Sequence, residues 1–226
     1  MNFDHSDKVK ALLTRIEAFM DEHIYPNEQS YHDWVVDPAK LWQEWPGMEA
    51  LKEKAHAQEL WNLFLPHEYG EFSPGLSNLE YAPIAEILGR VPWSSQVFNC
   101  SAPDTGNMEV LAKFGSPEQQ EKWLKPLLAG TIRSAYVMTE PQVASSDATN
   151  LELSILPDGD DYVINGRKWW ISNAMHPRCD IWIVMGKSRF DGPRHSQHSQ
   201  ILVEPKTPGI TIVRHQTVFG SHNSPG

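Results

Sequence analysis

The sequence predicts an α+β chain, with an all-helical domain over residues 1–133 followed by short antiparallel strands over residues 134–226. Two observations carry this. Apolar residues recur at helical spacing as far as Arg133, and beyond it short runs rich in Ile, Val and Trp alternate with turn residues. With 226 residues the chain can bury a substantial core as one large domain or two small ones.

The first element is an amphipathic helix in "DHSDKVKALLTRIEAFMDEHIYP", where Val9, Leu12, Leu13, Ile16 and Phe19 share a face and Pro26 closes the pattern. Asp37 before Pro38 reads as an N-cap with proline at the first helical position, and "MEALKEKAHAQEL" comes next with good helix formers. Ser77 with Glu80, and Ser116 with Gln119, form capping boxes, and Gly89 stands at a helix C-terminus.

After Arg133, "LELSILP", "YVINGRKWWIS", "CDIWIVMGKS", "SQILVEP" and "GITIVRH" read as antiparallel strands separated by "DGDD", "NG" and "PG". Asn165-Gly166 is a two-residue hairpin signal. Arg189–Gln200 holds turn and polar residues and reads as an exposed hairpin loop. There is no internal repeat.

Composition narrows the function. No apolar run approaches the roughly 20 residues of a membrane-spanning helix. The N-terminus lacks the marks of a signal or transit peptide, and Cys100 and Cys179 fall in no metal or redox spacing, so a cytoplasmic protein is expected, with both cysteines acting as small hydrophobes. Residues 1–133 hold 11 Lys/Arg against 20 Asp/Glu, net −9, and residues 134–226 hold 8 against 9, net −1. That acidity argues against nucleic acid and against an anionic membrane surface. His195 and His198 lack further ligands at metal spacing, so no metal site is expected. G-x-S-x-G, a Gly-rich phosphate loop and H-E-x-x-H are all absent, and most of the nine Trp residues read as core or interface residues.

The informative stretch is "YVMTEPQVASSDATN", Tyr136 to Asn150, in which a strand-like start gives way to a run of small hydroxyl residues. Taken singly, Thr139, Ser145 and Ser146 are ordinary turn residues that bond their own backbone, Trp170 a strand aromatic and Ser172 a solvent-facing residue. Taken together, "TEP…SSD" and "NGRKWWISN" about twenty residues later resemble the acyl-CoA dehydrogenase family, in which T-E-P-x-x-G-S-D and N-G-x-K-x-W-I-[TS]-N build the flavin site of the middle domain. The resemblance extends over the whole chain, and it implies that the strands of residues 134–226 belong to an antiparallel β-barrel middle domain, incomplete here. "ELWNLFLP", "NCSAPDTGNMEVLAKFGSPEQQEKWLKPLLAG" and the "ASSD" spelling resemble the branch fused in animals to an aminoglycoside-phosphotransferase-like kinase domain, which acts on longer or branched acyl-CoA esters.

The resemblance implies FAD as cofactor, an acyl-CoA substrate and an electron-transferring flavoprotein as acceptor. It places the backbone around Tyr136 and Met138, and the hydroxyl and amide of Thr139, along the pyrimidine side of the flavin. Ser172 would donate to N5 and Trp170 would pack beside the ring, while Ser145 and Ser146 would line the turn, Ser146 bonding a phosphate or the acyl-CoA. Such donors suit a ring that takes a hydride at N5 and gathers negative charge toward N1 and O2. Glu140 is not taken as the general base, because the family's base lies elsewhere and a residue before proline in a tight turn reads as structural.

Two departures stand out. "QVAS" puts four residues where the family has three ending in Gly, so Ser145 occupies the glycine's place and the turn must differ. The family also carries a C-terminal helical domain with the catalytic carboxylate, which builds the homo-oligomer. That domain is expected to be missing, with the chain ending inside the barrel, so no catalytic residue is assigned and the chain by itself is expected to be inactive. The alternative is a catalytically silent fragment or interaction module with a remnant flavin site; a flavin monooxygenase of related fold is a third option. Acyl chain length, oligomeric state and acceptor stay open.

Overall fold

The computed structural model describes residues 4–218 and separates into two compact units, 1–130 and 131–226. Phe219–Gly226, within the segment expected to hold the open end of the barrel, lies outside the described residues.

The first unit is helical. Helix α1, Asp7–Phe19, begins where the Val9 amide donates to Ser6 Oγ at 3.3 Å, and it buries Val9, Ile16 and Phe19. Pro26 does not end the helical course as expected. A π turn at Met20–Ile24 and a 3-10 turn at Tyr25–Asn27 carry the chain into α2, Glu28–Val35, because proline sits in the first turn of the next helical segment, where its missing N–H removes no bond. Asp37 caps as expected, accepting from the Ala39 amide at 3.0 Å, although the element it starts is a 3-10 turn, Pro38–Lys40.

Helix α3, Met48–Ala57, precedes α4, Asn78–Leu88, which starts at the Ser77–Glu80 capping box and ends at Gly89. Short α5, Ser94–Val97, leads to α6, Asp104–Phe114. The Ser116–Gln119 box then opens α7, Pro117–Gln119, continued by a π turn, Gln120–Leu124, and α8, Lys125–Leu128. The last carbonyls of α8 are satisfied from elsewhere in the unit. Trp61 Nε1 and Asn62 Nδ2 donate to Leu128 O at 2.7 and 2.9 Å, and Asn99 Nδ2 donates to Leu127 O at 2.9 Å.

The second unit is an open sheet: β1, Arg133–Val137; β2, Ser154–Asp158; β3, Asp161–Asn165; β4, Cys179–Lys187; and β5, His198–Val203. Its order is β1-β4-β2-β3, with β5 also on β4. The helical-then-sheet class stands, but the strand directions are mixed. β1 runs parallel to β4, and β2 meets β4 in parallel at Ser154↔Lys187, whereas β2–β3 and β4–β5 are antiparallel. Period 2 is the same in both directions, so the pattern could not separate them.

The hairpin turn between β2 and β3 is "DGDD", and Asn165-Gly166 is instead where β3 ends. Gly166 is needed for another reason. A Cβ there would lie 2.8 Å from the Leu153 backbone, and one at Gly186 would lie 2.8 Å from Leu153 O, so Leu153 passes between two glycines. "RKWWIS" forms no strand, and neither does "GITIVRH", where Ile212 and Val213 are exposed and no described ladder receives them. The polar loop between β4 and β5 is exposed, as expected. Ala135, Val137, Leu153, Ile155, Ile171, Cys179, Trp182, Val184 and Val203 form the core of this unit.

Candidate functional site

The site is assembled from two segments that lack a ladder of their own, residues 138–153 after β1 and residues 166–178 after β3. The β1–β4 ladder stops at Val137↔Val184. The next carbonyls on the two strands, Met138 O and Met185 O, are bridged by the ammonium of Lys168 at 2.7 and 2.8 Å, and its third bond goes to Glu140 Oε1 at 2.9 Å. Glu140 is 3% exposed and also accepts from the amides of Glu152 at 2.7 Å and Leu153 at 2.9 Å.

The two charges respond differently to burial. Burial by itself would raise the Glu140 carboxyl, but the Lys168 ammonium and the two amides outweigh it and hold the group below its ordinary value. Lys168 is drawn below its own ordinary value by burial, which the single carboxylate only partly offsets.

Next to this pair the Trp169 amide donates to Thr139 O at 3.1 Å, which brings the second segment against the first. Trp170 then adopts φ 53 and Asn173 φ 66. A left-handed backbone is rare for a bulky side chain, and such strain concentrates at working sites. Over this turn Trp170 stays 41% exposed, Ile171 is buried in the core, and Ser172 is exposed. Asn173 is buried and donates through Nδ2 to Ser134 O at 3.3 Å, fixing the far end of the segment to β1.

The remaining sequence-derived residues fall into two groups. Thr139 and Ser146 are exposed. Tyr136, Met138 and Ser145 are engaged by the protein itself. Tyr136 Oη accepts from Gln200 Nε2 at 3.0 Å and lies 3.4 Å from Met185 Sδ, with burial raising its pKa; the Met138 carbonyl is held by Lys168. Ser145 is buried, and its Oγ accepts from the Glu140 amide at 3.0 Å. The departure in "QVAS" thus has a structural counterpart: the loop turns at Val143–Ser145, where the Ser145 amide donates to Val143 O at 2.9 Å, and no residue of 139–150 takes a positive φ. Asp147 Oδ1 accepts from Thr149 N at 2.9 Å and Thr149 Oγ1 at 2.7 Å, which lowers its pKa, and Arg194 Nη2 donates to the same Thr149 hydroxyl at 2.8 Å.

Sequence reading missed Lys168, Asn173 and Arg194. Lys168 and Asn173 both stand at fixed positions of the quoted N-G-x-K-x-W-I-[TS]-N motif, which was the available signal for them; Arg194 had none, since its partner Thr149 lies far away in the chain. Among the described residues no cluster of His, Cys, Asp and Glu could hold a metal ion, and no helix is long and apolar enough to cross a membrane.

The arrangement offers an exposed aromatic face and hydroxyl donors on two segments held side by side, a donor set that fits a flat polar heterocycle such as a flavin.

Two family models match the chain. The model of the acyl-CoA dehydrogenase N-terminal domain matches residues 6–131, and that of the acyl-CoA dehydrogenase middle domain matches residues 135–225. FadE2 of Mycobacterium tuberculosis, assigned as an acyl-CoA dehydrogenase, is 51% identical over 97% of this chain and 53% of its own length. Human acyl-CoA dehydrogenase family member 11 is 48% identical over 96% of this chain and 28% of its own. A solved Mycobacterium abscessus protein, described as a candidate acyl-CoA dehydrogenase, superposes with TM-score 0.91 at 45% identity over 99% of this chain and 57% of its own. The chain therefore spans about half, or less, of the length of these relatives.

Proposed function

Because the chain belongs to the acyl-CoA dehydrogenase family, we propose that its second unit holds FAD for the α,β-dehydrogenation of an acyl-CoA thioester. The observation that carries this reading is Trp170, an aromatic kept out of the core by a left-handed backbone and set beside the Thr139 segment by the Trp169–Thr139 bond.

In this reading Trp170 supplies a packing face, Ser172 a hydroxyl donor toward N5, and Thr139 a hydroxyl on the pyrimidine side, while exposed Ser146 is left to bond a phosphate or the thioester. Tyr136, Met138 and Ser145 act by shaping the wall, since the Tyr136 hydroxyl, the Met138 carbonyl and the Ser145 hydroxyl are engaged internally. When bound, FAD supplies the two-electron acceptor for the hydride leaving Cβ. Proton abstraction from Cα needs a carboxylate free to accept. Glu140 and Asp147 do not suit that task, because Glu140 is tied to Lys168 and two amides, and Asp147 to Thr149. The 226-residue chain by itself is expected to bind FAD without turning over acyl-CoA. Electron-transferring flavoprotein as acceptor, and assembly into homo-oligomers, belong to the same proposal for the complete enzyme.

The test is titration of the purified protein with FAD, followed by visible absorbance and flavin fluorescence. Saturable binding with a perturbed flavin spectrum supports the reading, and a spectrum identical to free FAD at every ratio refutes it.

A further inference from the structure

We infer that the buried Lys168–Glu140 pair is a positioning device that fixes the Thr139 segment against the Trp170–Ser172 segment, so that FAD meets both already aligned. This inference rests on the flavin reading above and adds residues that themselves need not touch the ring.

Lys168 donates to the exit of β1 at Met138, to β4 at Met185 and to Glu140, while Glu140 accepts from the chain entering β2 at Glu152 and Leu153. Four stretches distant in sequence thus meet at one ion pair. Its three donor distances, 2.7, 2.8 and 2.9 Å, account for all three ammonium protons.

A purely stabilising role explains this poorly. A buried ion pair is weak evidence for stability, because desolvating both charges offsets most of their attraction, and apolar residues of similar volume often serve as well. An apolar side chain could not bridge the two carbonyls at the end of the β1–β4 ladder. The segment from Gly166 to Arg178 has no ladder of its own and contains two non-glycine residues at positive φ, so its course must be imposed from outside. Lys168 imposes it at one end, directly before Trp169 and Trp170, and Asn173 at the other through Ser134 O. A compact ammonium suits three acceptors in different directions, whereas a planar guanidinium does not.

The test uses the purified protein with FAD as probe, reading dissociation constant by flavin fluorescence and ring environment by visible circular dichroism. Glu140→Gln/Lys168→Met removes both charges together, so neither is left buried and unpaired. It is expected to unfold cooperatively but to bind FAD about ten- to a hundredfold more weakly, with an altered flavin dichroism, the range for losing groups that orient a site's contact residues. Lys168→Arg keeps the charge and is expected to unfold like the parent while binding FAD roughly three- to tenfold more weakly. Parental affinity and dichroism in both variants would overturn the inference; if the double variant does not fold, parental values in Lys168→Arg alone would overturn it. Absence of FAD binding by the parent protein is a separate result, which refutes the flavin reading itself and this inference with it.

Discussion

Ser145 Oγ accepts a hydrogen bond from the Glu140 amide at 3.0 Å, closing the loop over the carboxylate that anchors the site. Ser145 and Ser146, adjacent and chemically alike, are thereby divided: one is buried in the loop's own bonding and the other faces solvent. Ser145→Ala should lower stability by about 1–3 kcal/mol, because a buried N–H loses its acceptor. Ser146→Ala should stay within roughly 0.5 kcal/mol of the parent, as exposed substitutions do. Chemical denaturation of the two variants checks both values, and FAD and acyl-CoA titrations should show the opposite ranking, with Ser146→Ala the more impaired.

Acid should act through Glu140. Its folded pKa lies below the ordinary 4.5, so the unfolded chain takes up the proton first. The stability it contributes is fully present above about pH 4.5 and is lost as pH falls through the lower, folded value. Unfolding monitored from pH 7 downward should therefore steepen below that point. In Glu140→Gln/Lys168→Met this limb should flatten, and a profile unchanged from the parent would count against the assignment.

The roles proposed for Ser172 and Trp170 are tested in a protein of this family that turns over acyl-CoA. There, Ser172→Ala should slow single-turnover flavin reduction by roughly tenfold to a thousandfold, the range for removing one donor that acts in the transition state. Trp170→Ala should chiefly weaken flavin retention, since it removes a packing face. Stopped-flow bleaching and residual flavin content after gel filtration distinguish the two effects; unchanged values in both variants would remove these residues from the site.

Close packing around Leu153 gives a prediction independent of any ligand. Gly166→Ala or Gly186→Ala would set a Cβ about 2.8 Å from the Leu153 main chain, closer than atoms can sit without displacement. Each should lower stability by about 1–3 kcal/mol, as overpacking does. Alanine at Gly159, whose Cβ would meet no atom within 4 Å, tests the left-handed turn alone, since its φ is 62. It should lower stability by roughly 1 kcal/mol. Thermal melts of the three variants should therefore place Gly159→Ala nearest the parent.

What the sequence by itself determined is what short-range chemistry decides. The caps at Asp37, Ser77 and Ser116 bond within three residues, and the buried face of the first helix comes from spacing alone. The change from period 3.6 to period 2 after Arg133 is likewise a local property, and the paired motifs pointed to residues 136–146 and 170–172. Tertiary structure decided the rest. Strand direction is invisible to a period of 2, which is why a parallel β1–β4 pair emerged from runs that read as antiparallel. Gly166 comes after a turn-like Asn yet serves the approach of Leu153, thirteen residues earlier. Lys168 sits in a motif as one more basic residue, but its acceptors Met138, Glu140 and Met185 lie 30, 28 and 17 positions away. A bond whose partners are brought together only by the folded sheet leaves no periodic mark on the sequence, so the motif could mark Lys168 but only the folded sheet showed which groups it joins.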